Sequence, residues 1–164
     1  MANFISKDGR FGCRLGSTCL RRLELERQAA WPRETGGILL GFYNASLDLA
    51  TITMVEPAPP DSRSGKFSFA RGIHGLALTI SRAWSSKTIR KRYYLGEWHT
   101  HPDGPPVPSP QDIYQMKAVA QDPGYHCPEP LLIILGGSRS RLTPGVFVFP
   151  GALEMVELYK AGAT

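Results

Sequence analysis

Apolar residues recur at helical spacing in three stretches of the chain, and each stretch predicts a helix. The first helix runs from Ser17 to about Ala30, with Ser17 as its predicted N-cap, and ends at Trp31-Pro32. The second begins at about Gly72. The third begins near Ser109.

Shorter apolar or alternating runs predict the strands of a sheet. The predicted strands are residues 38–43, 50–56, 93–98, 131–135 and 146–149. After a loop over residues 57–65, residues 66–69 are expected to re-enter this sheet, whereas residues 154–159 fit either a strand or a helix. At the start of the chain, Asp8-Gly9 favours a tight two-residue turn and therefore a small hairpin.

Strands that alternate with about three helices indicate a mixed α/β fold. The 164 residues are enough to bury one core, and neither an internal repeat nor a long linker divides them. We therefore expect residues 1–164 to form a single domain.

Composition and charge exclude several classes of protein. With 42% hydrophobic and 20% charged residues, the chain has the balance of a soluble globular protein. Because it has neither an apolar run of membrane-spanning length nor a secretory layout at its start, we expect a cytoplasmic location. The net charge of +5 favours an acidic partner. The basic run at residues 87–92 is best explained as a solvated face, so we expect neither a membrane nor a nucleic acid as partner.

The three cysteines, Cys13, Cys19 and Cys127, are odd in number and lack a CxxC spacing. This pattern favours neither a disulfide framework nor a cysteine zinc site. We expect buried thiols without a catalytic role, and a thiol that meets a histidine in space is the open alternative.

The candidate chemistry begins at His99 and His101, which follow a predicted strand. Residues i and i+2 at the end of a strand point to the same side, so both imidazoles can converge on one metal ion. A His-x-His pair alone is better explained by two polar residues at a strand end, because such pairs are common by chance. Gly96 leaves room nearby for a backbone or a substrate.

Asp112 offers a third ligand, because Ser109-Pro110-Gln111-Asp112 has the features of a helix start. A carboxylate in that first turn can face the strand end across the stiff loop 102–108. Two histidines and one carboxylate leave the fourth position of a tetrahedral zinc ion open, as in catalytic sites. The alternative for Asp112 is stabilisation of the helix dipole alone.

Peptide hydrolysis at such a site also needs a group that shuttles a proton. Three acidic residues qualify: Glu34, Glu97 and Asp103. Glu97 is also a candidate for orienting a ligand, while Glu34 stands before a glycine pair and an apolar strand. The residues by themselves leave this choice open.

Taken together, Glu34, His99-Thr100-His101, Ser109 and Asp112 resemble the JAMM motif of the JAB1/MPN/Mov34 metalloproteases. That motif has an upstream Glu, His-[Ser/Thr]-His, seven residues of which the first is Pro, then Ser, two residues and Asp. The resemblance implies an MPN/JAMM domain with a curved mixed β-sheet packed by helices. It also implies one zinc ion per chain held by His99, His101 and Asp112, with Glu34 as the general base. Ser109 would stabilise the oxyanion, and its alternative role is that of a helix cap alone.

Family members that keep this full residue set resemble deubiquitinases, which cut after the C-terminal glycine of ubiquitin or a ubiquitin-like protein. Residues 94–102 further resemble stand-alone bacterial JAB-type peptidases, some of them encoded in anti-phage operons such as CBASS. The resemblance thus implies a deconjugating isopeptidase with E1/E2-like proteins and a conjugated nucleotidyltransferase as partners. The alternatives are a peptidase that processes a ubiquitin-like sulfur carrier and a non-catalytic, zinc-containing binding module.

Overall fold

A computed structural model describes residues 1–46, 48–85, 91–151 and 153–162 of the protein. Within these ranges the strands are β1 (Ala2–Ile5), β2 (Gly12–Leu15), β3 (Gly36–Tyr43), β4 (Leu49–Glu56), β5 (Arg63–Ser64), β6 (Phe69–Ala70), β7 (Tyr93–Thr100), β8 (Leu131–Gly136), β9 (Thr143–Val148) and β10 (Val156–Lys160). The α-helices are α1 (Ser17–Ala30), α2 (Leu76–Ser85) and α3 (Pro110–Gln121). A single 3-10 turn, Pro123–Tyr125, follows α3.

Eight of the strands close into a barrel in the order β1-β10-β9-β8-β7-β3-β4-β2. Most neighbours are antiparallel, but β2 pairs with β4 and β7 pairs with β8 in parallel. The mixed, curved sheet expected from the sequence is confirmed. Its curvature is complete, because β10 pairs with both β1 and β9 and closes the barrel. Closure also decides the open choice at residues 154–159 in favour of a strand.

The helices cover apolar surfaces of the barrel. Cys19 and Leu23 of α1 join the largest core cluster. A second cluster packs Ala83 of α2 against the barrel, and a third does the same for Met116 of α3. None of the helices in the described ranges combines the length and the apolar character needed to span a membrane.

A β-bulge in β7 decides which of its side chains share a face. Leu39 pairs with Gly96 and Leu40 pairs with Tyr94, so Leu95 is the extra residue. Gly96 has a φ of 139°, and a Cβ there would lie 1.9 Å from the Leu131 carbonyl oxygen. Only glycine fits this position, because the backbone of Leu131 occupies the space where a Cβ would lie.

Two local expectations near the N-terminus are wrong in detail. β1 and β2 do form a hairpin, but residues 6–11 replace the tight turn, with Ser6 N donating to Phe11 O at 2.9 Å. Asp8 organises this longer loop by accepting hydrogen bonds from Ser6 Oγ and Arg10 N. The N-cap of α1 is Gly16, without a side-chain hydrogen bond, and not Ser17.

The expectation that residues 66–69 re-enter the main sheet is also wrong. β5 and β6 form a separate two-stranded sheet, because the closed barrel has no free edge to receive another strand. The second helix begins at Leu76, a few residues later than expected, and Ile73 before it is exposed. Of the basic run at residues 87–92, residues 87–90 lie outside the described ranges.

Candidate metal centre

His99 and His101 bring their imidazoles together where β7 ends. Their Nε2 atoms are 3.1 Å apart, and their ring centroids are 4.9 Å apart. His99 is buried and His101 is half-buried. The first turn of α3 places Asp112 opposite both rings, with Oδ1 3.5 Å from His99 Nε2 and Oδ2 3.8 Å from His101 Nε2. The end of β7 and the start of α3 thus present three ligand atoms within 4.8 Å of one another.

The spacing of these atoms fits a tetrahedral zinc ion. With bonds of about 2.0–2.1 Å, the ligand atoms of such an ion lie about 3.3 Å apart. The distance of 3.1 Å between the two Nε2 atoms, and those of 3.5 and 3.8 Å from them to the two different Asp112 oxygens, lie on either side of that value. His101 Nδ1 lies 3.1 Å from the Pro105 carbonyl oxygen, which can only accept a hydrogen bond. In a neutral ring Nδ1 therefore carries the proton, and Nε2 directs its lone pair at the cluster.

The protonation states of the cluster also suit a metal ion. Burial lowers the pKa of His101, and the neighbouring His99 lowers it further. Burial alone would raise the pKa of Asp112, but hydrogen bonds and charge from His99 and hydrogen bonds with Ser109 outweigh it and bring the pKa to about 2. At neutral pH His101 is therefore neutral and Asp112 is ionised, which are the ligating forms.

Ser109 and Asp112 form a reciprocal capping box at the start of α3. Ser109 Oγ accepts a hydrogen bond from Asp112 N at 3.2 Å, and Asp112 Oδ2 accepts one from Ser109 N at 2.7 Å. The box fixes the carboxylate in its orientation toward the histidines. Because the cap uses the hydroxyl oxygen of Ser109 only as an acceptor, its proton is available for donation. The capping role and the proposed chemical role of Ser109 are therefore compatible.

Glu34 is held beside the cluster by the residue that follows it. Thr35 N donates to Thr100 Oγ1 at 2.9 Å, and Thr100 N donates to Thr35 O at 2.8 Å. Burial raises the pKa of Glu34, and the charge of Asp112 raises it further while His99 opposes the shift. Glu34, His99, Ser109 and Asp112 all line one groove of about 760 Å³. A half-buried carboxylate with a raised pKa in this groove is suited to exchange protons.

The other two acidic candidates are placed differently. Glu97 Oε1 accepts hydrogen bonds from Arg71 Nε and Nη2 at 3.1 and 2.7 Å, and from the Tyr94 hydroxyl at 3.2 Å. Asp103 is exposed and does not line the groove. Glu34 differs from Asp103 because it lines the groove, and it differs from Glu97 because its carboxylate has no hydrogen bond or ion pair within the described part of the chain. Arg71 was missed by the sequence reasoning, since its partner lies 26 residues further along.

The three cysteines are free and buried, as expected. Burial raises the pKa of Cys13 to about 12, that of Cys127 to about 11, and that of Cys19 as well. None of the three lines the groove. Their burial and raised pKa values disfavour the thiolate form that a catalytic cysteine needs.

The fold and the cluster define a mixed β-barrel domain with a candidate metal centre of two histidines and one carboxylate. A family described as prokaryotic homologs of the JAB domain matches residues 17–145. The chain belongs to this family, which confirms the resemblance seen in the motif.

Three relatives share the name CD-NTase/cGAS isopeptidase. The one from Enterobacter hormaechei subsp. hoffmannii is 37% identical over 134 residues, or 82% of this chain and 72% of the relative. The one from Vibrio cholerae serotype O1 is 30% identical over 63% of this chain and 64% of the relative. The one from Escherichia coli is 34% identical over 65% of this chain and 69% of the relative.

Solved structures support the fold. A protein of Desulfitobacterium hafniense has a TM-score of 0.59 at 20% identity and covers 88% of both chains. A protein of Salinibacter ruber has a TM-score of 0.54 at 17% identity, over 87% of this chain and 86% of the other. At these identities the likeness is one of fold alone.

Proposed function

We propose that the chain is a zinc-dependent isopeptidase, a single JAMM/MPN metallopeptidase domain over residues 1–164 that acts in the cytoplasm. Its substrate class is a protein joined to a target through the C-terminal glycine of a ubiquitin-like tail. The observation that carries the proposal is the convergence of His99, His101 and Asp112 on one point, beside the groove that His99 and Asp112 line together with Glu34. Membership of the prokaryotic JAB family supports it.

The relatives' shared name narrows the substrate. Because they are named CD-NTase/cGAS isopeptidase, the conjugated protein in this proposal is a nucleotidyltransferase of that kind. E1/E2-like proteins that form the conjugate are then the expected partners in an anti-phage system. Processing of a ubiquitin-like sulfur carrier is the second candidate, since the same site would cut after a terminal glycine.

Each residue of the candidate site has a part in the proposed reaction. One zinc ion held by His99, His101 and Asp112 would supply Lewis acidity and an acidified water at neutral pH. Glu34 accepts a proton from the attacking water and returns it to the leaving nitrogen. The Ser109 hydroxyl donates a hydrogen bond to the developing oxyanion.

An open coordination position argues against a purely structural metal site. Structural zinc sites use four protein ligands, whereas the cluster offers three. In a non-catalytic binding module, a half-buried carboxylate without a hydrogen-bonding partner would lower the stability of the fold and serve no function. Both features favour catalysis over the non-catalytic alternative.

The test is cleavage of a defined conjugate. A CD-NTase-type nucleotidyltransferase linked through its C-terminal glycine to a lysine should be released, and the cut should map to that isopeptide bond by mass. Glu34→Gln should bind one zinc ion per chain and lose roughly 10²–10⁴-fold in rate, because it removes proton transfer and leaves the ligands. His99→Ala should lose the zinc as well. Cleavage that persists in zinc-free protein, or at normal rate in Glu34→Gln, would refute the proposal.

A further inference from the structure

The segment over residues 61–74, here called the groove hairpin, is a compact unit outside the barrel. β5 and β6 pair within it, and its base is closed by side chains. The Asp61 carboxylate accepts hydrogen bonds from Ile73 N and His74 N, both at 3.0 Å. Ser62 Oγ accepts one from Gly72 N at 2.9 Å. The hairpin is therefore expected to move as one piece relative to the barrel.

The groove hairpin forms one wall of the groove that holds the candidate metal centre. Phe67 and Phe69 line the groove from the hairpin, and Tyr114 of α3 lines it from the other side. A Cβ on Gly36 would lie 2.5 Å from Phe69 Cε1, so the Phe69 ring occupies the space that this glycine leaves open. The position of the hairpin therefore sets the width of the groove beside Glu34.

Polar contacts attach the groove hairpin to the segment just before β3 and to β7. On one side Glu34 N donates to Gly65 O at 2.8 Å, and Ser64 Oγ donates to Glu34 O. On the other side the attachment is the Arg71–Glu97 ion pair, with Nη2 and Oε1 2.7 Å apart. Both attachments lie close to the site, because Glu34 and Glu97 line the groove and Glu97 lies two residues before His99 on β7.

The Arg71–Glu97 pair is built as a fixed contact. The two side chains are only 14% and 20% exposed, so water screens their attraction less than at an open surface. Arg71 Nη1 also donates to Gly72 O at 3.0 Å, which ties the guanidinium to the hairpin backbone. The Tyr94 hydroxyl donates to the same Glu97 oxygen at 3.2 Å. Each of the three guanidinium nitrogens of Arg71 thus donates at least one hydrogen bond of defined direction.

We propose that Arg71 and Glu97, supported by Tyr94, are positioning residues that hold the groove hairpin as a wall of the groove and thereby determine how tightly the substrate tail binds. The part that concerns the tail rests on the proposed isopeptidase function. The part that concerns the hairpin is independent of it. The two parts are tested by different measurements.

Hydrogen exchange followed by mass spectrometry tests the hairpin in zinc-loaded protein. Arg71→Gln and Glu97→Gln should each raise the exchange rate of peptides from residues 61–74 roughly tenfold, as expected for loss of a charged hydrogen bond. The double variant should exchange no faster than either single one, since the two side chains act as a pair. Lys117→Gln is the matched control, because it breaks the exposed ion pair between Lys117 of α3 and Glu154. Exchange at the control's rate in the Arg71 and Glu97 variants would overturn the proposal.

Steady-state cleavage of the nucleotidyltransferase conjugate tests the tail. Arg71→Gln and Glu97→Gln should raise KM roughly tenfold while kcat changes less than about threefold and zinc content stays the same. Arg71→Lys keeps one charged donor and should fall between the wild type and Arg71→Gln. A fall in kcat at unchanged KM would contradict the positioning role. If the wild-type protein cleaves nothing, the proposed function fails, while the exchange rates still decide the hairpin.

Discussion

At the scale of single residues, Thr100 lies between two candidate ligands but fixes the position of a different group, the candidate base Glu34. Its side chain is buried and faces away from the histidines, and Oγ1 accepts a hydrogen bond from Thr35 N. Thr35 directly follows Glu34, so this bond and its reciprocal partner fix the backbone that carries the candidate base. The requirement for Ser or Thr between the histidines follows from this geometry, because both residue types supply the oxygen.

We therefore predict different outcomes for two substitutions of Thr100. Thr100→Val keeps the shape but leaves Thr35 N buried without a partner, at a cost of about 1–3 kcal/mol in the free energy of unfolding. It should retain zinc and lose roughly tenfold or more in kcat, because Glu34 is less well positioned. Thr100→Ser should keep most of both. Urea unfolding, metal analysis and kcat measure the three quantities, and equal behaviour of the two variants would refute the assignment.

Substitution of Ser109 can separate its role as a helix cap from its proposed role in the reaction. Glycine is nearly as good an N-cap as serine, so Ser109→Gly should cost only a few tenths of a kcal/mol in stability. The same change removes the hydroxyl proposed to stabilise the oxyanion and should lower kcat by roughly 10²–10³-fold.

Ser109→Ala is the comparison for that experiment, because it removes both functions and should cost about 1 kcal/mol as well. Thermal unfolding and kcat, measured on both variants, distinguish the roles. If Ser109→Gly retains normal kcat, the residue is a cap alone.

At the scale of elements, the bulge in β7 controls which residues face the site. Gly96 permits the bulge, and after it Glu97 and His99 share a face with Tyr94. We predict that Gly96→Ala destabilises the fold by about 2–4 kcal/mol, because its φ of 139° and the nearby Leu131 backbone exclude a Cβ. Gly151→Ala is the control, since the nearest atom to its Cβ would be 3.4 Å away. Denaturant unfolding of both variants gives the comparison, and similar losses would show that the bulge tolerates a side chain.

The three helices were predicted from their local pattern, although the Ser17 cap and the tight turn at Asp8-Gly9 were not borne out, and elements that depend on distant partners were predicted less well. The third helix and its cap follow from Ser109-Pro110, because capping is a local interaction. β5 and β6 contain two paired residues each, too few to show a period. The assignment of β10 depends on pairing with β1, which lies at the other end of the chain.

The candidate site divides in the same way. Glu34, His99, His101, Ser109 and Asp112 were chosen from a motif, and the structure brings the three candidate ligands together. The motif alone favoured Glu34 over Glu97, and the fold adds a physical reason for that choice, because it pairs Glu97 with Arg71. A contact of this kind leaves no periodic signal in the sequence.

At the scale of the whole molecule, α1 supports the candidate metal centre through a series of hydrogen bonds. The buried Arg27 donates from Nη2 to the carbonyl oxygens of Gly137 at 3.2 Å and of Ser138. Gly137 in turn exchanges backbone hydrogen bonds with residues 103 and 104, at 3.1 and 2.9 Å. The loop that begins there supplies the Pro105 carbonyl that orients His101. The ligand set thus depends on the intact barrel, and a metal ion bound to it should stabilise the whole fold.

Zinc binding should therefore be visible at thiols that lie away from the site. Cys13, Cys19 and Cys127 are buried, so a thiol reagent should reach them mainly when the protein unfolds. A ligand that binds only the native state at 100 times its Kd adds about 2.7 kcal/mol to stability. Saturating zinc should then slow thiol alkylation roughly 100-fold, and a chelator such as phenanthroline should abolish both the protection and the activity until zinc is returned.

Asp112→Asn, which keeps an oxygen for the helix cap but weakens the ligand set, should lose most of this zinc-dependent protection. Alkylation that inactivates the folded, zinc-loaded protein would contradict a metal mechanism and would point instead to one of the thiols.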